Sequence, residues 1–227
     1  MKLNLQKTEK NALCAIFLCL IFYIILPFLL MKFFPSSAEI LSRFRWTVAL
    51  PMLCIAALMY LFAKETFIRR EDFSGFSPFK ISMYSIGMLF VCAIISFLWL
   101  KLLDILKISY SKDVPVEDFI RSCNNYELIA AGIFICILTP VFEEIIFRRI
   151  IYDGIKSYLP PITSAVICSM LFASLHGILF QLVPLFALGL YFQFLYIKNE
   201  KLGASIFAHA FNNTLAFSVI CIIKLMA

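Results

Sequence analysis

Polar residues interrupt the apolar second half of the chain at three places. They are Glu143-Glu144 with Arg148, then His176, then His209 with Asn213. A charged side chain at membrane depth costs roughly 2.5–3.5 kcal/mol on insertion scales, so an ionisable residue there usually marks a functional site. Adjacent carboxylates with imidazoles and a cation nearby can carry out acid–base or metal chemistry.

The two glutamates are predicted to face different surroundings. On a helix, Glu144 and Arg148 are i,i+4 neighbours, so Arg148 can neutralise Glu144 and keep it ionised. Glu143 points about 100° away from Glu144. This is a usual way for similar side chains to acquire different roles. Pro140, one turn earlier, leaves a backbone carbonyl without its donor and can bend the helix near the glutamates.

Spacing along the chain predicts that the histidines lie close to the glutamates. Glu143 and His176 each lie about 16 residues, or roughly 24 Å of helix, from a predicted turn at residues 158–161. Residues equally distant from the turn of an antiparallel hairpin lie at the same height. His209 and Asn213 share one helix face at i,i+4. We therefore expect these polar groups to converge at one depth.

Two other interpretations of the same residues stay open. Polar side chains on neighbouring membrane helices can simply hold the helices together. His176, His209 and Glu143 could instead form a zinc site of two histidines and one glutamate, although the sequence contains no His-Glu-x-x-His. Nucleophile-elbow, P-loop and dinucleotide motifs are absent from the sequence.

Membrane-spanning helices are predicted to position these residues. The 227 residues are 63% hydrophobic and only 15% charged, which is more apolar surface than a water-soluble core of this size can hide. Seven apolar runs are long enough to be candidate spans, at residues 12–31, 46–63, 83–103, 126–147, 162–180, 182–197 and 202–225. The predicted fold class is all-α, a polytopic membrane helix bundle of about seven transmembrane helices, with a range of six to eight.

The predicted organisation is one compact membrane domain with two regions. An N-terminal three-helix region covers residues 1–125, and a core of about four helices covers residues 126–227. Lysine and arginine are in slight excess, twelve against eight, on the side that holds the N-terminus, which favours a cytoplasmic N-terminus. The first apolar run is too long for a signal-peptide core, so we interpret it as a retained span.

Charge and cysteine usage narrow the class of partners. The net charge of +6 is spread over short loops, which indicates lipid headgroups and membrane topology rather than nucleic acid. Most of the eight cysteines lie inside apolar runs, where they behave as small hydrophobes. No CxxC or metal-type spacing occurs, and we predict no structural disulfide.

The three polar groups, taken in order, resemble the CPBP family of intramembrane endopeptidases. That family includes CAAX prenyl endopeptidases and Abi-type bacterial membrane proteins. Its pattern is Glu-Glu-x-x-x-Arg, Phe-x-x-x-His and His-x-x-x-Asn on successive helices. Here it is met by Glu143-Glu144 with Arg148, by Phe172 with His176, and by His209 with Asn213. The resemblance covers residues 126–225. Arg149 departs from the pattern, because the family commonly has glycine there.

The resemblance implies peptide-bond hydrolysis at a membrane-embedded site. Glu143 would be the general base that activates a water, and His176 would orient that water or share in proton transfer. His209 and Asn213 would stabilise the oxyanion, as preorganised donors do in a water-poor site. Glu144, Arg148 and Phe172 would support these catalytic residues. No cofactor and no metal are expected.

The resemblance leaves the substrate open. We expect a membrane-associated protein or peptide, in a reaction like CAAX processing or like bacteriocin maturation and self-immunity. The short compact chain suggests a bacterial cytoplasmic membrane, with the lipid bilayer as the surroundings and no nucleic acid as partner. The alternatives are a non-catalytic membrane scaffold or immunity protein with the same fold, and a metal-dependent intramembrane protease that uses His176, His209 and Glu143.

Overall fold

The computed structural model describes residues 70–111 and 115–226, and the regular structure in these ranges is helical. A short 3₁₀ turn at Arg70–Phe73 precedes six helices that we number α1 to α6. They are α1 Pro78–Ile105, α2 Pro115–Ser122, α3 Asn125–Ile155, α4 Pro161–Leu175, α5 Leu182–Asn199 and α6 Leu202–Met226. The all-α fold class is confirmed for this part of the chain. The predicted spans at 12–31 and 46–63 lie outside the described residues.

Four of these segments are long and apolar enough to cross a membrane. They are α1, α3, the segment Leu179–Asn199 that contains α5, and α6. Large apolar side chains remain exposed along α1, for example Phe79 at 73% and Phe90 at 70%. Such a surface suits lipid rather than water. The chain is therefore an integral membrane protein, as its composition predicts.

Helix α3 is longer than predicted and is irregular in two places. It begins with a capping box, in which Asn124 and Glu127 satisfy each other's backbone donors. The turns at Phe134–Leu138 and Ile145–Tyr152 are π-helical. Thr139 accordingly donates its N–H to the Phe134 carbonyl, five residues back. Wide turns of this kind commonly lie at functional sites, and the second one follows directly after the two glutamates.

Helix α4 corrects the predicted span at 162–180. It begins at Pro161, after a turn that matches the predicted one, and it ends at Leu175. His176 forms its C-terminal cap and Gly177 has φ of +68°, a left-handed conformation that glycine adopts without strain. At 1.5 Å per residue the helix is about 22 Å long, short of the roughly 30 Å hydrocarbon core. A 3₁₀ turn at Leu179–Gln181 then leads into α5.

The buried core lies where α3, α4, α5 and α6 meet. Its largest buried apolar side chains include Phe147 on α3, Phe172 on α4 and Phe192 on α5. Helix α1 packs against both α5 and α6. The division of the chain into regions at residue 125 stays a prediction.

The start of α6 is held close to the 3₁₀ turn before α1. Asp72 is buried, accepts a hydrogen bond from the Leu202 backbone N–H at 3.4 Å, and pairs with Arg149. Gly203 lies against the backbone of Asp72 and Phe73, so that even a methyl group would collide there. This contact fixes the height of α6, which carries His209.

Candidate active site

Glu144 and Arg148 form a bidentate ion pair that is completely buried. Arg148 donates from Nε to Glu144 Oε2 at 2.9 Å and from Nη2 to Oε1 at 3.3 Å, and both side chains are 0% exposed. The predicted i,i+4 pairing is thus confirmed. Arg148 Nη1 also donates to Gln193 Oε1 at 3.4 Å. The arginine therefore links α3 to α5, and its charge is fully compensated inside the bundle.

His209 lies between the two glutamates. Its Nδ1 is 3.1 Å from Glu144 Oε1, and its Nε2 is 3.6 Å from Glu143 Oε2. Because an ionised carboxylate can only accept, Nδ1 carries the proton in the contact with Glu144. Nε2 is then the nitrogen that faces Glu143. The first and third polar groups of the sequence are brought together as predicted, and all three side chains are buried.

Aromatic rings fix the orientation of the His209 imidazole. Phe192 stacks on it, with centroids 4.6 Å apart and planes at 18°. Phe172 meets it edge-on at 5.8 Å, and the Arg148 guanidinium lies 5.6 Å from the Phe172 ring centroid. Together these rings restrict the imidazole to one plane and keep water away from its faces.

His176 packs against Phe172, the ring that also meets His209. Its ring centroid is 4.8 Å from that of Phe172, and it is only partly buried. Its Nδ1 is 2.7 Å from the Phe172 carbonyl, which can only accept, so Nδ1 carries the proton. In neutral His176 the other ring nitrogen, Nε2, is then an acceptor. It can accept a hydrogen bond from a water molecule.

The two adjacent asparagines on α6 have different surroundings. Asn213, which the sequence singled out, donates from Nδ2 to the Ile135 carbonyl at 3.0 Å, inside the first π turn of α3. Asn212 is 4% exposed. Within the described part of the chain, neither its Nδ2 nor its Oδ1 has a hydrogen-bond partner.

Sequence reasoning missed several residues that complete this cluster. Gln193 accepts from Arg148, and Phe192 stacks on His209. Cys168 donates its thiol hydrogen to the Phe147 carbonyl at 2.8 Å. A glutamine inside an apolar helix was a signal that could have been used for Gln193. Nothing in the sequence distinguishes Phe192 among the 25 phenylalanines.

Within the described part of the chain, the residues of the alternative zinc site do not form a metal-binding cluster. Among residues 70–111 and 115–226, no three or more His, Cys, Asp or Glu side chains are grouped so as to hold a metal ion. His176 and His209 both contact the Phe172 ring. Of the three candidate zinc ligands, Glu143 and His209 are in contact, with Glu143 Oε2 and His209 Nε2 3.6 Å apart.

Comparisons with known proteins match this same stretch of helices. Residues 125–215 match a family model described as "Type II CAAX prenyl endopeptidase Rce1-like". A Bacillus subtilis (strain 168) protein described as "Putative membrane peptidase YdiL" is 36% identical over 78 residues, which are 34% of this chain and 32% of that protein. Residues 125–215 are thus similar to a family of CAAX prenyl endopeptidases, and part of the chain is similar to a membrane peptidase. The chain spans about a third of the length of this relative. No solved structure matches the chain.

The matched region, residues 125–215, contains all of the site residues predicted from the sequence. It also contains Arg149, where the sequence departs from the family pattern. Arg149 Nη2 lies 2.5 Å from Asp72 Oδ1, and its guanidinium lies 5.7 Å from the Tyr196 ring centroid. Arg149 thus joins the matched region to the turn before α1, and the glutamate–histidine cluster is complete without it.

Proposed function

We propose that the protein is an intramembrane glutamate-type endopeptidase that hydrolyses a peptide bond of a membrane-associated protein or peptide. The observation that carries this proposal is the buried arrangement of Glu143, Glu144 and His209, with Arg148 pairing to Glu144. Two adjacent carboxylates with different partners are suited to different roles. The match of residues 125–215 to a family of endopeptidases supports the same reaction class.

Glu143 is the better candidate for the general base. Glu144 already accepts two hydrogen bonds from Arg148 and one from His209, which hold it as a carboxylate. A carboxylate that is stabilised in this way is a weak base. The Oε2 atom of Glu143 faces His209 Nε2 at 3.6 Å, the ring nitrogen opposite the one that contacts Glu144. Glu144 and Arg148 then serve to orient His209.

In the proposed step, a water attacks the carbonyl carbon of the scissile bond and gives one proton to Glu143. His176 accepts a hydrogen bond from that water and aligns it. The carbonyl oxygen becomes an oxyanion. In this step His209 carries a proton on both ring nitrogens, so that Nε2–H donates to the oxyanion while Nδ1–H donates to Glu144, and Asn213 donates with the Nδ2 hydrogen that does not bind the Ile135 carbonyl. When the carbon–nitrogen bond breaks, Glu143 returns the proton to the leaving amine, so that protons balance over the reaction.

The predicted catalytic set works without a metal, as the sequence resemblance implies. The proposed substrate is a membrane-associated peptide or protein, because α1, α3, α5 and α6 present long apolar surfaces to lipid. Processing of CAAX-type proteins and maturation of secreted peptides are both compatible with such a site. The proposed location is a bacterial cytoplasmic membrane, with the N-terminus on the cytoplasmic side.

Cleavage can be tested without knowing the physiological substrate. The purified protein would be reconstituted in phosphatidylethanolamine–phosphatidylglycerol liposomes and incubated with peptides from proteolysed bacterial membrane proteins. Mass spectrometry of new N-termini should show products with the wild-type protein and none with Glu143→Gln. Products should persist in EDTA and 1,10-phenanthroline. Equal product patterns from both proteins would contradict the proposal, and loss of products with chelator would favour metal hydrolysis.

A further inference from the structure

Asn212 is a buried polar side chain on α6. Its residue surface is 4% exposed, and within the described residues neither the amide nitrogen nor the amide oxygen has a hydrogen-bond partner. Burying an amide without partners is unfavourable, and buried polar groups in folded proteins are nearly always paired. An orphaned amide of this kind indicates a ligand that pairs with it.

The position of Asn212 places this amide beside the candidate active site. It lies three residues after His209 on α6, so the two side chains are i,i+3 neighbours on one helix face. Its neighbour Asn213 points about 100° away and donates to the Ile135 carbonyl. The two adjacent asparagines thus have different surroundings, because Asn213 is held by the Ile135 carbonyl and the Asn212 amide makes no hydrogen bond within the described residues.

The unsatisfied pair of atoms narrows the chemistry of the ligand. An oxyanion would use the Nδ2 donor and leave Oδ1 unpaired. A metal ion would use Oδ1 and leave the donor unpaired. An extended peptide backbone offers one C=O acceptor and one N–H donor, which can satisfy both atoms of an asparagine amide at once. A backbone contact also makes no demand on the identity of the substrate side chain.

We infer that Asn212 binds the peptide backbone of the substrate through a two-point amide contact, one turn along α6 from His209. This inference rests on the proposed function, since it specifies how a peptide reaches the same site. Asn212 acts before the chemical step, in holding the chain. Its role is therefore distinct from the donor role proposed for Asn213.

A capture experiment separates this inference from cleavage itself. The cleavage-dead Glu143→Gln protein would be immobilised in liposomes and incubated with the bacterial membrane-peptide mixture, and bound peptides would be quantified. Asn212→Leu, which keeps the side-chain size but removes both polar atoms, would be added to that background. Thr214→Val, an exposed polar-to-apolar exchange on the same helix, is the matched control.

The expected result is about a tenfold loss of captured peptide with Asn212→Leu, as the loss of two neutral hydrogen bonds would give. Thr214→Val should capture as much as its parent. The thermal midpoint of Asn212→Leu should stay equal or rise, because the amide has no hydrogen-bond partner within the described residues. Unchanged capture, or a fall in midpoint that accompanies the loss, would overturn the inference. So would the absence of any peptide captured by Glu143→Gln.

The proposed function can fail separately from this inference. If wild-type protein cleaves none of the captured peptides while Asn212→Leu still lowers capture, the endopeptidase proposal is wrong and the peptide contact stands. If cleavage occurs, Asn212→Leu alone should raise KM about tenfold and leave kcat within about twofold. A fall in kcat with unchanged KM would assign Asn212 to the transition state and overturn the backbone contact.

Discussion

Arg148 donates two hydrogen bonds to Glu144, of 2.9 Å and 3.3 Å, and neither side chain is exposed to solvent. The pair is anchored to α5 through Gln193. Because His209 donates to the same carboxylate, a change in the pair is transmitted to the imidazole at the centre of the site. The ion pair thus sets the geometry of the candidate catalytic groups.

Replacing one member of this pair should lower the free energy of unfolding far more than replacing both. Arg148→Met leaves a buried carboxylate without its main partner and should cost about 3–5 kcal/mol in the free energy of unfolding. The double variant Glu144→Gln/Arg148→Met should recover a large part of that loss. Denaturation in mixed detergent micelles, followed by circular dichroism, would measure both changes.

Lys156→Met is the control for this experiment. Lys156 pairs with Asp153 at 2.6 Å, but its side chain is 44% exposed. Its removal should change stability by less than about 1 kcal/mol. If Arg148→Met behaved like Lys156→Met, the buried pair would not hold the site together.

Gly203 should tolerate no larger residue. A Cβ at this position would lie 2.8 Å from the Phe76 ring and would collide with the Asp72 carbonyl. Gly203→Ala should therefore destabilise the protein by about 1–3 kcal/mol, as overpacking does. Gly87→Ala on α1 is the matched exchange, because nothing described lies within 4 Å of the added methyl group. It should be neutral or stabilising by about 0.5–1 kcal/mol.

These two glycine variants can be compared by their thermal midpoints in one detergent. A Gly203→Ala midpoint at or above that of the wild type would show that α6 does not lie against the 3₁₀ turn. Loss of stability in Gly87→Ala would show that this face of α1 is packed.

Phe192 should matter for activity through the orientation of His209. Phe192→Leu removes the ring that stacks on the imidazole at 4.6 Å. A displaced catalytic group can cost up to about 100-fold in rate. We expect kcat to fall by about 10- to 100-fold and KM to change little, measured on a peptide that the wild-type protein cleaves.

Phe194→Leu is the control for the stacking prediction. Phe194 is on the same helix but is 56% exposed, so it faces away from the site. Its variant should keep wild-type kcat. Equal losses in both variants would attribute the effect to α5 in general rather than to the stacked ring.

The sequence predicted the parts of the site that depend on helical periodicity. Glu144 and Arg148 are i,i+4 neighbours and meet when the segment is helical. The apolar run around them indicated a helix. The turn near Pro160 was also predictable, because two adjacent prolines cannot continue a helix. The height match between α3 and α4 follows from that turn, and Phe147 meets Phe172 across it at 5.2 Å.

Features that depend on packing between helices were not predictable. The run after Leu175 stays apolar, so hydropathy alone extended the helix to residue 180, whereas Gly177 ends it with a positive φ. The π turns in α3 leave no pattern in the sequence, since they arise from local hydrogen-bond shifts within the fold. Which asparagine is held by the protein depends on the Ile135 carbonyl, which periodicity cannot locate.

The division of labour between Glu143 and Glu144 is the central claim, and a paired measurement of cleavage rate and thermal midpoint tests it most directly. Glu143→Gln should keep the wild-type midpoint and lose cleavage by about 10²–10⁴-fold, the usual contribution of a general base. Glu144→Gln should lower the midpoint, because it breaks the buried pair with Arg148. A Glu143→Gln protein that cleaves a wild-type substrate peptide at the wild-type rate would contradict the account.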